Sequence, residues 1–215
     1  MALFNAVVDL SHHNTVTSFQ QIRDAGILAV IHKATQGTGV VDAEYDNRRN
    51  DALRAGLLFG SYHFGNNDDP DVQADHYLDT VETTELMVLD FEPNPRDGTM
   101  TLAQAEAFVR RIKDKTGRFP GLYSGQSFIN DQLGNNTSTV LKECFFWIAR
   151  YSTQVPKIPP AFPFFTLWQY TDGSAGPQPH GVPGVGRCDR NKFNGDEAGL
   201  KRLFPSAINP RRVIP

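Results

Sequence analysis

An apolar run that ends in two acids, Leu86-Met87-Val88-Leu89-Asp90-Phe91-Glu92, constrains this chain more than any other stretch. The run has no helical period and is closed by Pro93-Asn94-Pro95, so it reads as a buried strand. Side chains alternate along a strand, which puts Asp90 and Glu92 on one face and Phe91 on the other. A rise of about 3.3 Å per residue sets the two acidic Cα atoms roughly 6–7 Å apart. Two carboxylates that close, at the end of a hydrophobic strand, cannot both ionise cheaply, and one keeps its proton near neutral pH. A protonated acid beside an ionised partner is the equipment for cleaving a glycosidic bond. The competing reading is a strand end that frays into solvent and carries two surface acids.

The surrounding sequence sets this run in an alternation of strands and helices. Strands are expected over 5–10, 28–34 and 57–64, with helices over 16–25, 43–55 and 72–81. Asp68-Asp69-Pro70 starts the third of these helices, with acids and a proline in its first turn. Residues 101–116 form the clearest amphipathic helix, with Thr101 as N-cap and Gly117 at the stop. A fifth strand follows over 120–124. The alternation then weakens, and strands over 145–151, 165–170 and 185–189 are joined by loops and short helices. A last helix over 196–204 precedes a tail carrying Pro205, Pro210 and Pro215. Repeated βα units imply an α/β fold with a parallel sheet inside its helices, and eight strands in 215 residues favour a closed barrel, irregular in its second half. We expect a single domain over residues 1–215, with the short tail beginning at about residue 205.

Composition removes several classes of function. A net charge of -3 and an isoelectric point near 6.0 argue against a general nucleic-acid binder. No stretch approaches the ~18 apolar residues of a membrane span, so no membrane insertion is expected. Met1-Ala2-Leu3-Phe4-Asn5 has neither a basic segment nor a small-residue cleavage site, so no secretory signal is expected. Cys144 and Cys188 read as free buried thiols by default, with a single bridge between them as the alternative. His12, His13, His32 and His63 with Asp9 raise the thought of a metal hydrolase, but compact ligand spacing is missing, and neither a metal nor any other cofactor is expected. Gly37-Thr38-Gly39 is too little for a phosphate loop.

In βα barrels the chemistry sits where strands end. Here the expected strand ends bring Asp9, then Lys33-Ala34-Thr35-Gln36, then Tyr62-His63, then Asp90 and Glu92. The later ones bring Tyr123, Trp147 with Tyr151, Trp168-Gln169-Tyr170, and Asp189-Arg190-Asn191. One rim thus collects acids, hydrogen-bonding groups and aromatics, as a polysaccharide cleft requires. Each aromatic has a core role as its alternative, Asp189 has a salt bridge with Arg190, and Asp9 has bonds to backbone amides in the loop after it.

These motifs resemble glycoside hydrolase family 25, the Chalaropsis-type lysozymes. The resemblance rests on Asp9-Leu-Ser-His, Lys33-Ala-Thr, Gly60-Ser-Tyr-His-Phe, Leu89-Asp-Phe-Glu, Trp147-Ile-Ala-Arg-Tyr, Leu167-Trp-Gln-Tyr and Asp189-Arg-Asn-Lys-Phe-Asn-Gly. It implies an irregular TIM-like (β/α) barrel of eight strands with fewer than eight outer helices. It also implies a muramidase cutting the β-1,4 bond between N-acetylmuramic acid and N-acetylglucosamine of bacterial peptidoglycan. Glu92 would be the general acid, Asp90 its carboxylate partner, and Asp9 and Asp189 further catalytic acids. Tyr62, His63, Tyr123, Trp147, Tyr151, Gln169 and Tyr170 would bind the glycan. Asp90 either attacks the anomeric carbon or orients the substrate's 2-acetamido group to do so, and both routes retain configuration. The chain departs from the family pattern at Gln36, where the family often has Glu, and at His13-Asn14, where many members carry Trp-Gln. The alternative is a barrel that binds peptidoglycan or chitin without cutting it. A monomer is expected, reaching the wall by host lysis, as a phage-encoded enzyme would, or by a dedicated secretion route.

Overall fold

Seven of the eight barrel staves form where the sequence is rich in apolar residues without helical spacing. The computed structural model describes residues 3–204, so the proline-containing tail expected from about 205 lies outside them. In chain order the elements are β1 (Leu3–Leu10), α1 (Phe19–Asp24), β2 (Ala29–Gln36), β3 (Val40–Val41), α2 (Tyr45–Arg54) and β4 (Leu58–Phe64). They continue through α3 (Pro70–Thr80), β5 (Leu86–Asp90), α4 (Leu102–Thr116), β6 (Gly121–Gly125), α5 (Gln126–Leu133) and a 3₁₀ turn at Val140–Glu143. Last come β7 (Phe146–Ala149), β8 (Leu167–Thr171), β9 (Gly181–Val182), β10 (Gly186–Arg187), β11 (Asp189–Asn194) and α6 (Glu197–Leu203).

The barrel order is β1-β11-β8-β7-β6-β5-β4-β2, closed by parallel pairing of β2 with β1. Seven staves run parallel to one another, whereas β11 is antiparallel to both of its neighbours. The short β3 hairpins back onto β2 outside the ring. The expected irregular eight-stranded α/β barrel is therefore present, with six α-helices among the described residues.

Strand alternation divides the interior into two layers. Val7, Ile31, Val88, Trp147 and Leu167 fill the lumen, while Val8, Val30, Leu89, Ile148 and Trp168 pack outward against the helices. Helix α4 shows how a helix is fitted to that outer layer. Thr101 caps it in a reciprocal box with Gln104, and Gly117 ends it in the left-handed region at φ 75°. Ala105, Phe108, Val109 and Ile112, spaced three and four apart, form its buried face.

One expected element moves. The stretch 185–189 was read as the eighth strand, but Gly186 and Arg187 belong to the two-residue β10, which pairs only with β9. The eighth stave is β11, whose sequence Asp-Arg-Asn-Lys-Phe-Asn carries a single apolar side chain. Of its inward positions only Phe193 joins the lumen core, while Asp189 and Asn191 face the site, so hydrophobic alternation gives almost no signal there.

Candidate active site

Alternation carries the site residues to one end of the lumen. Asp9 follows Val7 inward on β1, Tyr62 is paired in register with Val88, and Asp90 follows Val88 inward at the end of β5. The backbone stays tied to β6 for one further residue, since Phe91 N–H donates to Tyr123 O at 2.9 Å. Glu92 therefore returns to the face of Asp90, although the strand itself ends at Asp90. Phe91 turns outward, fully buried, and packs edge-on to Phe128 at 5.0 Å. Asp189 arrives by a different route: β11 runs in the reverse sense, so its first residue lies at the rim where the other staves end, directly across from Asp9.

The result is a cavity of about 190 Å³ lined by Asp9, Tyr62, Asp90, Glu92, Tyr123, Trp147, Tyr151, Gln169 and Asp189. Two residues expected in the glycan site are elsewhere. His63 is fully buried on the outer side of β4, stacked on Phe108 at 5.0 Å. Its Nε2 donates to Gln73 Oε1 at 3.1 Å and its Nδ1 accepts from Thr35 at 2.8 Å. Burial lowers its pKa to about 3, so it is a neutral core histidine. Tyr170 is likewise fully buried in the outer layer, its hydroxyl accepting from Asn5 Nδ2 at 3.0 Å. The reason is common to both. Their neighbours Tyr62 and Gln169 face the lumen, and adjacent strand residues cannot share a face. Trp168 is a core residue for the same reason, and His32 is a buried histidine held by the Lys33 carbonyl at 2.7 Å.

Asp9 sits at the centre of a polar network. Gln169 Nε2 donates to both of its oxygens at 3.1 Å, and Asn191 Nδ2 donates to Oδ2 at 2.7 Å. Each amide is fixed in turn. Gln169 Oε1 accepts from Tyr123 at 2.8 Å and Tyr151 at 3.0 Å, and Asn191 Oδ1 accepts from the Trp147 indole at 2.7 Å. Trp147 meets Tyr123 edge-on at 4.6 Å. Thus Trp147, Tyr123 and Tyr151 hold the amides that hold Asp9, whose partners are side chains and not the backbone amides of the following loop alone. Asn191, named at the strand end but not among the residues expected to act on the glycan, stands two positions past Asp189 and so shares its face. The proposed Asp189–Arg190 salt bridge is absent among the described residues: Arg190 points outward and donates to Gly181 O at 2.9 Å and Asn5 Oδ1 at 3.3 Å.

Burial lifts all four acids, because low-dielectric surroundings favour the neutral form. Asp9 rises to about 6 through desolvation, held back by the Asn191 and Gln169 bonds. Glu92 rises to about 7 through desolvation and then the charge of Asp9, with Lys33 opposing. Asp189 rises to about 8, from burial first and Asp9 second. Asp90 is also well above its ordinary range, from burial and then Glu92, and its Oδ1 has no hydrogen-bond partner in the protein. The Asp90–Glu92 pair therefore keeps a proton into the neutral range, as a general acid needs.

The model for glycosyl hydrolases family 25 matches residues 8–178. The chain belongs to glycosyl hydrolase family 25. Lysozyme M1 of Streptomyces globisporus is 32% identical over 212 residues, covering 91% of this chain and 70% of that protein. The N,O-diacetylmuramidase of Chalaropsis is 28% identical, over 78% of this chain and 88% of that one. Among solved structures, the bacterial lysozyme of Streptomyces coelicolor superposes with a TM-score of 0.82 at 29% identity, covering 94% of this chain and 97% of the other. The family 25 match ends before β11, whereas this superposition spans nearly the whole barrel.

Proposed function

We infer that this family 25 chain is a peptidoglycan hydrolase, a muramidase that cuts the β-1,4 bond between N-acetylmuramic acid and N-acetylglucosamine and retains configuration. The observation that carries the chemistry is the Asp90–Glu92 pair on one lumen face, with Glu92 lifted to about 7 in a cavity that is otherwise rich in carboxylates. Glu92, the less buried of the two, gives its proton to the leaving glycosidic oxygen. Asp90 supports the positive charge that develops at the anomeric carbon, either by attacking it or by orienting the 2-acetamido group. Asp9 and Asp189 line the same cavity, and Asp9, held to about 6 by the Asn191 and Gln169 bonds, supplies negative charge near neutral pH, while Tyr62, Tyr123, Trp147 and Tyr151 offer ring faces and edges to sugars.

Digestion of purified peptidoglycan followed by mass spectrometry tests this reading. Fragments should end in N-acetylmuramic acid, and a reducing N-acetylglucosamine end would refute the muramidase assignment. A non-catalytic barrel would sediment with the wall and release no reducing ends; nothing in the site favours it. We further propose that the enzyme acts as a monomer, on walls reached after lysis or by a dedicated secretion route.

A further inference from the structure

Beside the acid cavity lies a second groove, of about 400 Å³ and opposite charge. It is lined by His13, Lys33, Gln36, Phe64, Asn94 and Arg96, with Asp97. The two adjoin through β4 and β5: Phe64 is the register partner of Asp90, and Asn94 follows Glu92 by two residues. Lys33 is 92% buried, yet no ion pair among the described residues involves it or Arg96. The hydrogen-bond partner of its ammonium is the neutral Gln36 Oε1, at 2.5 Å. An ammonium has three donors, and a buried one without a carboxylate is costly. The side-chain Nδ2 of Asn94, also buried, has no acceptor either. Gln36 spends its own Nε2 on Asp97, the carboxylate in the groove. An acid at position 36 would have paired with Lys33; the amide leaves that charge open.

We propose that this groove is a subsite for a carboxylate borne by a substituent of the glycan, gripped by Lys33 with Arg96 at its edge. The proposal rests on the muramidase reading and adds a specificity element to it. Such a carboxylate would be the free lactyl group of muramic acid or a carboxylate of an attached peptide stem. Burial lowers the Lys33 pKa, and the charges of Asp90, Asp42, Asp97 and Glu92 work against that fall in favour of the ammonium. Phe64 lies under the ammonium at 5.2 Å and shields it from water on one side.

The test uses short peptide-free muramyl–glucosaminyl oligomers, with the lactyl carboxylate either free or blocked as its methylamide. Wild type should show a KM about tenfold lower for the free acid, the measure of one charge-assisted hydrogen bond. The Gln36→Glu variant should supply Lys33 with an internal carboxylate and abolish that gap. Arg96→Ala should narrow the gap in the same direction. Oligomers carrying peptide stems, in which the lactyl group is an amide, separate the two sources: a low KM that Gln36→Glu raises assigns the anion to the stem, and no effect of the variant assigns it to the lactyl group. Equal KM for free and blocked oligomers in wild type, with stem-bearing ones also indifferent to Gln36→Glu, would overturn the subsite while leaving the muramidase standing. Failure to cut any of them would overturn both.

Discussion

Asp9 and Asp189 are register partners across the antiparallel seam between β1 and β11. Their side chains therefore leave the sheet on the same face, into the same cavity. Like charges directly opposite in a sheet oppose folding; burial lifts both acids, and the charge of Asp9 lifts Asp189 further. The seam brings two buried carboxyls into the cleft, at a cost in stability once they ionise.

Replacing Asp189 by Asn should expose that cost. The free carboxyl near 3.8 becomes about 8 in the folded chain, so the folded form binds the proton more tightly than the unfolded one. The stability from that binding is complete below about pH 4 and is lost as pH rises to about 8. The variant escapes the loss. Its melting temperature should match wild type at about pH 4 and exceed it by several degrees near pH 8. Lytic activity should fall across the range. Thermal melts at the two pH values decide it, and a variant that is less stable at the higher pH would contradict the account of the seam.

Gln169 is the residue through which three aromatic or carboxyl side chains meet, and Gln169→Met should be harmful twice over. It strips two donors from Asp9 and leaves the buried Tyr123 hydroxyl without an acceptor. Unsatisfied buried groups cost about 1–3 kcal/mol each, so the melting temperature should drop by several degrees. Asp9, deprived of the bonds that hold it down, should titrate above its present value of about 6. Activity per folded molecule should fall at neutral pH and recover nothing from added salt. An unchanged melting temperature would mean that the amide is not the keystone described.

How much of this was legible before the structure depends on whether a residue's role is set by local alternation or by pairing at a distance. Asp90, Phe91 and Glu92 were legible because one strand decides their faces. Asp9, Tyr62, Tyr123, Trp147 and Gln169 were reachable as strand-end residues. His63 and Tyr170 were placed in the site wrongly because a strand end was treated as one unit, although alternation within it excludes the neighbours of Tyr62 and Gln169. The reversal of β11 was not legible at all. Its inner face carries two polar residues and one apolar, Phe193, and direction is fixed only by pairing with β1 and β8. Lys33 was visible as a motif member, but its want of a partner depends on Gln36 bridging to Asp97 across 61 residues of sequence.

Retention of configuration follows from the placing of the pair. Asp90 and Glu92 rise from one strand end to one face, with little room between them for the water that an inverting enzyme activates. Proton NMR during the first turnovers on a defined oligosaccharide should show the β-anomer accumulating before mutarotation. Early build-up of the α-anomer would exclude the mechanism.

Glu92→Gln is the decisive substitution. Glutamine preserves shape and hydrogen-bonding reach but has no proton to give the leaving oxygen. General acid catalysis contributes about 10²–10⁴-fold, so the lytic rate should drop by at least the lower figure. In wild type the alkaline limb of the pH–rate profile should report loss of the proton from the pair, at about 7, where burial and Asp9 have lifted Glu92. The sign is set by the role: the active form carries the proton, so activity is present below that value and lost as pH rises through it. The variant should lose this limb along with its rate. Its fold should be intact or slightly firmer at high pH, because it removes a carboxylate whose folded pKa is raised and whose ionisation opposes folding. Wall binding should persist, since Tyr62, Trp147 and Tyr151 stand on other staves and their loops. A folded Glu92→Gln protein that lyses peptidoglycan within about threefold of wild type, against the 10² expected, would remove Glu92 from the acid's role and with it the chemistry assigned to this cleft.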